Sequence, residues 1–246
     1  MKTISFIKYV LMAALVIAGL SFFTSCEEDE DEDDGETQAD YTQGTTQFTV
    51  DADNATVTIK DNGDGFGGDY TMSKDTTYIL DGRVFVNNGH TLTIEAGTMV
   101  QGQPGTGENA SALIVAQGGK IMANGTKDAP IVFTAETDTY DGSGFDLKER
   151  GLWGGLIVLG KSTTNNESQE RVEGIPETEP RGFYGGSNAA DNSGVLKYIS
   201  IRHGGSEIGE GNEINGLTLG GVGTGTEIDY VEVVANKDDG IEWFGG

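Results

Sequence analysis

The stretch LKYISIRHGG (196–205) returns 32 residues later as IDYVEVVANK (228–237), and this repeat indicates the fold. Aliphatic residues fall on aliphatic residues, and Tyr198 falls on Tyr230. Alternating apolar and polar residues are typical of a β-strand whose two sides meet different environments. Strands that repeat at a fixed offset are what a β-solenoid needs, because each turn of the chain buries its inner side against the next turn.

Two further pairs of segments extend the pattern. LTIEAGTMVQG (92–102) superimposes on LIVAQGGKIMANG (113–125) at an offset of 21, and NGLTLGG (215–221) superimposes on DGIEWFGG (239–246) at an offset of 24. An antiparallel sandwich also uses short strands and turns, but it would not repeat one inward pattern at a fixed offset. The sequence therefore predicts an all-β protein, a parallel β-helix with loop insertions.

The N-terminus has the arrangement of an export signal. Two lysines precede the apolar run from Tyr9 to Phe23, which is short for a bilayer span, and the single cysteine follows at Cys26. The segment resembles a bacterial lipoprotein signal, although Phe23 stands where an aliphatic residue is usual; an ordinary cleaved signal is the alternative. A lone cysteine in an exported chain forms no internal disulfide, which favours lipid attachment at Cys26.

The segment EEDEDEDDGE (27–36) places nine acids in ten residues directly after the cysteine. Such a block repels itself and stays extended, so it is at least a solvated spacer. It also resembles the surface-export signal of Bacteroidota lipoproteins, which implies a lipid-anchored protein of the outer membrane, exposed at the cell surface. With a formal net charge of −25, nucleic acid is excluded as a partner. The expected partners are the membrane, through the lipid on Cys26, and an extracellular glycan.

Six blocks carry a wider resemblance across residues 76–246. They read GHTLTIEAGTMVQG, ALIVAQGGKIMANGTKDAPIVFTA, GLWGGLIVLG, EGIPETEPRGFYGG, DNSGVLKYISIRHGG and EINGLTLGGVGTGTEIDYVEVVANKDDGIEWFGG. Together they resemble a group of exported Bacteroidota lipoproteins, which implies a right-handed parallel β-helix, mostly without assigned activity. Chains of that group continue past the FGG motif, so the resemblance implies that this sequence is a fragment, truncated at Gly246.

These observations predict four segments. They are a lipoprotein signal peptide (1–25), an acidic disordered linker after the lipidated cysteine (26–45), an N-terminal cap region (46–75) and the parallel β-helix segment (76–246).

Two loops, 136–150 and 161–193, are the predicted insertions between strands, where solenoids usually carry function. The candidate ligand-binding residues in or beside them are Trp153, Phe183, Tyr184 and Arg181. Aromatic rings stack on sugar rings, or they hold a loop onto the solenoid. An arginine holds a sugar carboxylate, or it pairs with the glutamates of its own loop.

Calcium is the one cofactor for which the sequence offers candidates. In DNGDGFGGD (61–69) the oxygen ligands would come from Asp61, Asp64 and Asp69. Their spacing does not fit an EF-hand, and a flexible turn is the alternative.

The catalytic candidates are Asp238, Glu242 and His203. His203 beside glycine resembles the histidine of pectin-cleaving β-helix hydrolases, but there the paired aspartates precede the histidine and here they follow it. At the offset of 24, Glu242 falls on Thr218, an outward position between two inward leucines, while Asp238 falls on Ile214 and stays unexplained by the repeat.

Because no coherent catalytic set is legible, the sequence favours a non-enzymatic surface lipoprotein, a β-helix scaffold that is structural or adhesin-like and binds glycan or a partner. The alternative is a carbohydrate-active enzyme, a polysaccharide lyase or glycoside hydrolase that uses outward carboxylates and calcium.

Overall fold

The computed structural model describes residues 40–166, 169–176, 178–209 and 212–246. Cys26, the predicted signal peptide and most of the predicted linker lie outside these ranges. In the described part of the chain, no helix is both long and apolar enough to cross a membrane.

The described residues are organised by short β-strands. The strands are β1 (Tyr41–Gln43), β2 (Thr46–Asp51), β3 (Thr56–Lys60), β4 (Tyr70–Met72), β5 (Thr77–Leu80), β6 (Arg83–Val86), β7 (Thr91–Ile94), β8 (Met99–Gly102), β9 (Ala112–Val115), β10 (Lys120–Asn124), β11 (Ile131–Ala135), β12 (Leu156–Leu159), β13 (Glu170–Arg171), β14 (Phe183–Tyr184), β15 (Gly194–Arg202), β16 (Glu207–Gly209), β17 (Asn212–Glu213), β18 (Leu217–Gly220), β19 (Glu227–Val234) and β20 (Ile241–Phe244).

The strands form a parallel β-helix with three faces, which confirms the predicted fold. The first face stacks β4, β7, β10 and the first halves of β15 and β19. The second face stacks β3, β5, β8, β11 and the second halves of β15 and β19. The third face stacks β6, β9, β12, β18 and β20. One strand from each face makes a turn of the helix, here called a rung, and the chain passes through five such rungs between β4 and β20.

The repeat of 32 residues is confirmed by the pairing of β15 with β19. Leu196 lies opposite Ile228, and Ile201 lies opposite Val233. Both strands pass from the first face to the second at a tyrosine in the left-handed region, Tyr198 (φ 47°) and Tyr230 (φ 52°). The two rings stack outside this corner, with centroids 4.3 Å apart and planes within 5°.

The predicted repeat of 21 residues is wrong, because it does not match the pairing of the strands. Leu92 lies opposite Ile121, not Leu113, which instead pairs with Val84 and Leu156 on the third face. The error arose because consecutive faces share one pattern, a short strand followed by a glycine turn, so the comparison slipped by one face. The offset of 24 holds, since β18 and β20 pair in that register.

An antiparallel hairpin closes the N-terminal end of the helix. Strands β1 and β2 pair with each other, and β2 also pairs antiparallel with β3. Phe48 is fully buried there and stacks between Tyr41, at 4.7 Å, and Tyr70, at 5.0 Å. β1 begins inside the predicted linker, and β3 and β4 already stack on later strands. The β-helix therefore begins before the boundary at residue 76.

The core fills the space between the three faces with inward aliphatic and aromatic side chains. Leu217 and Leu219 lie in it, as the alternation predicts. Thr218 points outward yet is only 3% exposed. A second apolar cluster covers the outer side of the third face, and it includes Tyr184 and Ile157. Burial of apolar area in these two layers, at about 25 cal/mol per Å², is the main stabilising term.

Gly194, at the start of β15, is required by its backbone and its neighbours. Its φ is 114°, and an added Cβ would collide with the carbonyl oxygen of Ile121 on the preceding rung. We expect Gly194→Ala to lower the free energy of unfolding by about 2 kcal/mol, measured by urea denaturation. Gly142 is the matched control because its φ is 87° but no atom would lie within 4 Å of its Cβ. An equal loss for Gly142→Ala would show that the contact with Ile121 is unimportant.

Candidate functional site

The insertion between β12 and β15 covers the outer side of the third face. Its short hairpin, β13 with β14, packs Val172, Ile175 and Tyr184 against the outward side chains of that face. The hydroxyl of Tyr184 donates to Glu170 Oε2 at 2.9 Å. The predicted sugar-binding residue Tyr184 is only 4% exposed, so it serves to attach the insertion.

The insertion between β11 and β12 covers part of the second face. Gln101 Nε2 donates to the carbonyl oxygen of Asp138 at 2.9 Å, and the Thr134 hydroxyl donates to Asp138 Oδ2 at 2.6 Å. Trp153 closes this insertion: it is fully buried in the main core, and its Nε1 donates to the carbonyl oxygen of Arg202 at 2.7 Å. The structure therefore places Trp153 in the core, away from the surface position that the predicted ligand contact needs.

Phe183 and Arg181 are also engaged within the protein. The guanidinium of Arg171 lies 4.3 Å from the ring centroid of Phe183, whose exposed fraction is 37%. Arg181 binds Glu179 through Nε and Nη2, both at 2.7 Å, and Asp61 through Nη1 at 2.9 Å. Its guanidinium also covers the ring of Phe85 at 3.8 Å. Arg181 thus fixes the insertion to the solenoid and is not available for a sugar carboxylate.

The three calcium candidates do not converge. Asp61 accepts hydrogen bonds from the backbone N–H groups of Gly63, Gly65 and Phe85 in addition to Arg181. Within the described ranges, no group of three or more acidic, histidine or cysteine side chains is placed to hold a metal ion. An aspartate whose oxygens already accept four donors is a turn anchor, which is the alternative that the sequence left open.

Asp64 and Asp69 serve different neighbours. Asp64 Oδ2 accepts from the N–H of Thr45 at 3.0 Å, which ties the loop to the N-terminal hairpin. Asp69 Oδ1 accepts from the N–H of Thr91 at 2.7 Å, one rung further on.

His203 is fully buried, so it is not placed to act on a substrate. Its Nδ1 lies 2.6 Å from the carbonyl oxygen of Glu149, and because a carbonyl only accepts, Nδ1 carries the proton. Its Nε2 lies 3.9 Å from Asp138 Oδ2, and the ring meets Phe145 edge-on at 5.6 Å. His203 holds the insertion on the second face, whereas a catalytic role needs an accessible ring.

Asp138 makes this attachment sensitive to acid. Burial would raise the pKa of Asp138, but hydrogen bonds from Thr134, Phe145 and Tyr140, together with His203, lower it below its usual value. A lowered pKa gives stability that is present above the ordinary carboxyl pKa of about 3.9 and is lost as the pH falls below it. We expect Asp138→Asn to reduce the loss of unfolding free energy between about pH 6 and pH 3. Asp128→Asn, at an exposed turn, is the control. If Asp138→Asn lost as much unfolding free energy at low pH as the wild type, this role of Asp138 would be refuted.

Glu242 lies half-buried on the outer side of the last rung, as the repeat predicted. Burial raises its pKa, while a hydrogen bond from Asn215 Nδ2 opposes the rise. The negative charges of Glu173, Asp239 and Asp238 raise the pKa further. Asn215 is 6% exposed, and its Oδ1 has no hydrogen-bond partner among the described residues. The structure thus brings Glu242 near other carboxylates, while Asp238 and Asp239 are exposed turn residues.

The outer side of the first face is covered by neither insertion. Two columns of outward residues run along it, Thr71–Thr93–Met122–Val195–Glu227 and Asn124–Lys197–Asp229. Each of these side chains is exposed or half-buried. These two columns and the corner tyrosines, Tyr198 and Tyr230, are called the open face below.

The tyrosines give the open face a broad aromatic surface. Tyr230 is 60% exposed, and Tyr198 supports it from the preceding rung. Around them, Lys197 Nζ contacts Glu227 Oε1 at 3.1 Å, and the Ser200 hydroxyl donates to Glu232 Oε1 at 2.6 Å. An exposed ring bordered by hydrogen-bonding groups is suited to an amphipathic ligand such as a sugar. The sequence carried the signal for this pair, a tyrosine repeated at the offset of 32, but alternation alone did not show that it lies at an uncovered corner.

No curated protein and no solved structure matches the chain. A family model, described as a pectate-lyase-like β-helix domain, matches residues 64–246. This range contains all five rungs and both insertions. The chain therefore belongs to the pectate-lyase-like β-helix domain family.

Proposed function

We propose that this protein is a glycan-binding β-helix in which the open face holds sugar rings against Tyr230. The observation that carries the proposal is the Tyr198–Tyr230 stack, with Tyr230 60% exposed on the face that both insertions leave uncovered. Membership of a pectate-lyase-like β-helix family is compatible with a carbohydrate ligand.

The chemistry of the open face suits a carbohydrate. The apolar C–H side of a sugar ring packs on the face of an aromatic ring, and the hydroxyls around the sugar ring need hydrogen-bonding partners. Asp229 lies next to Tyr230, and Glu232 lies two residues further on. Because Tyr198 already orders the ring of Tyr230, little side-chain entropy is lost when a ligand binds.

The proposed location is the cell surface. The apolar N-terminal segment, the lone Cys26 and the acidic run after it support a lipid-anchored protein of the outer membrane. In that place an adhesin-like or structural scaffold would meet extracellular polysaccharide directly.

The binding proposal predicts a defined loss in one variant. We expect Tyr230→Asn to weaken binding about tenfold, or about 1.4 kcal/mol, in affinity electrophoresis against a panel of polysaccharides. Asparagine is chosen because it tolerates the left-handed backbone at φ 52°. Phe183→Asn is the matched control, since that ring is exposed on the third-face insertion. Equal binding by both variants and the wild type would reject the open face as the site.

A second candidate function is polysaccharide cleavage at Glu242. The observation that favours it is a half-buried carboxyl with a raised pKa, hydrogen-bonded by Asn215 and near other carboxylates. A carboxyl with a raised pKa near a second carboxylate is the pairing used in glycoside hydrolysis. If the protein releases reducing ends from any polysaccharide and Glu242→Gln abolishes the release, the enzymatic function is correct; no release by the wild type leaves binding alone.

A further inference from the structure

Three carboxylates border Tyr230 on its own strand. Glu227 and Asp229 point outward on the first face, and Glu232 points outward where β19 enters the second face. All three are exposed. A ligand that stacks on Tyr230 must therefore lie within reach of negative charge on both sides of the ring.

The cations of this region are already engaged. Lys197 contacts Glu227 at 3.1 Å. Arg202 Nη1 lies 3.9 Å from Glu232 Oε1, and its guanidinium lies 5.2 Å from the ring centroid of Tyr140. Asp229 is exposed, so its carboxylate is accessible to the hydroxyl groups of a ligand.

We infer that the glycan of the open face is uncharged, and that Glu227, Asp229 and Glu232 exclude uronate polymers from it. This inference rests on the proposed function. Sugar hydroxyls donate hydrogen bonds, and a carboxylate is a strong acceptor for them. A uronate carboxylate placed against the same groups meets like charge, and the net charge of −25 repels a polyanion at longer range. The cations that would have to hold the uronate would first have to leave Glu227 and Glu232.

The test compares neutral and acidic polymers on the full chain. The neutral probes are galactomannan, arabinoxylan and mixed-linkage β-glucan, and the acidic probes are polygalacturonate and alginate. The variant is Glu227→Gln with Asp229→Asn and Glu232→Gln. The matched control, Asp53→Asn with Glu108→Gln and Glu173→Gln, removes the same charge at exposed positions outside the open face. Binding is measured at low salt and in about 1 M NaCl, where the screening length is about 3 Å.

We expect the wild type to bind a neutral probe with little salt dependence and not to bind the acidic probes. The Tyr230→Asn variant should bind the neutral probe about tenfold more weakly. The open-face triple variant should gain affinity for polygalacturonate by about tenfold or more over the control triple. Binding of an acidic probe that depends on Tyr230 would overturn this inference and leave the proposed function standing. Absence of Tyr230-dependent binding to every probe would overturn the proposed function, and this inference with it.

Discussion

Trp153→Ala should lower the free energy of unfolding by about 4 kcal/mol, because it removes the largest fully buried side chain of the core. The indole packs against Gly102, and its Nε1 donates to the carbonyl oxygen of Arg202. Loss of the ring leaves a cavity and an unsatisfied carbonyl where the second-face insertion rejoins the solenoid. Guanidinium denaturation followed by circular dichroism measures the change.

Leu147→Ala is the control for this prediction. Leu147 lies in the same insertion, but it is 63% exposed, so its loss should change stability by less than about 0.5 kcal/mol. If Trp153→Ala were as mild as Leu147→Ala, the indole would not lie in the core.

Asp61→Ala should also lower the free energy of unfolding by about 4 kcal/mol, because it removes one partner of a buried ion pair. The Asp61 side chain is 1% exposed, and the variant removes the acceptor of three backbone N–H groups and of Arg181. The insertion that carries Arg181 would also lose its ion pair with the first rung, while the contact of Arg181 with the ring of Phe85 stays. Denaturation in urea, with limited proteolysis of residues 160–193, measures both effects.

Asp64→Ala is the matched control because Asp64 is exposed and accepts one backbone hydrogen bond from Thr45. Its expected cost is about 1 kcal/mol. A calcium chelator should leave the wild type unchanged. A large shift on chelation, or equal losses in both variants, would restore the calcium interpretation of this loop.

The fold was largely predictable because strands that stack in a solenoid repeat the same apolar pattern along the sequence. The offset of 32 placed Leu196 against Ile228, and the offset of 24 placed Thr218 against Glu242. The offset of 21 failed since all three faces share one strand-and-glycine pattern, and a linear comparison does not distinguish a step along the helix from a step around it.

The site was less predictable because the exposure of a side chain depends on which other segments pack over it, and residue type does not show this. Trp153, Tyr184 and His203 have the residue types of a binding or catalytic site, yet Trp153 lies in the main core and the insertions cover Tyr184 and His203. The tyrosines of the open face appeared in the sequence only as a repeat. Tyr230 lies on the last strand of its face, where even the inward-pointing Ile228 is 38% exposed.

Hydroxyl-radical footprinting of the full chain, with and without a mixture of galactomannan, arabinoxylan and mixed-linkage β-glucan, tests the open face most directly. We expect oxidation of Tyr230 to fall severalfold when the polysaccharides are present, while Trp243 and Phe183 keep their rates. Trp243 is 67% exposed on the last rung, so it reports any non-specific shielding. An unchanged rate at Tyr230, or protection that falls on Phe183 or Trp243 instead, would contradict the assignment of the open face as the glycan site.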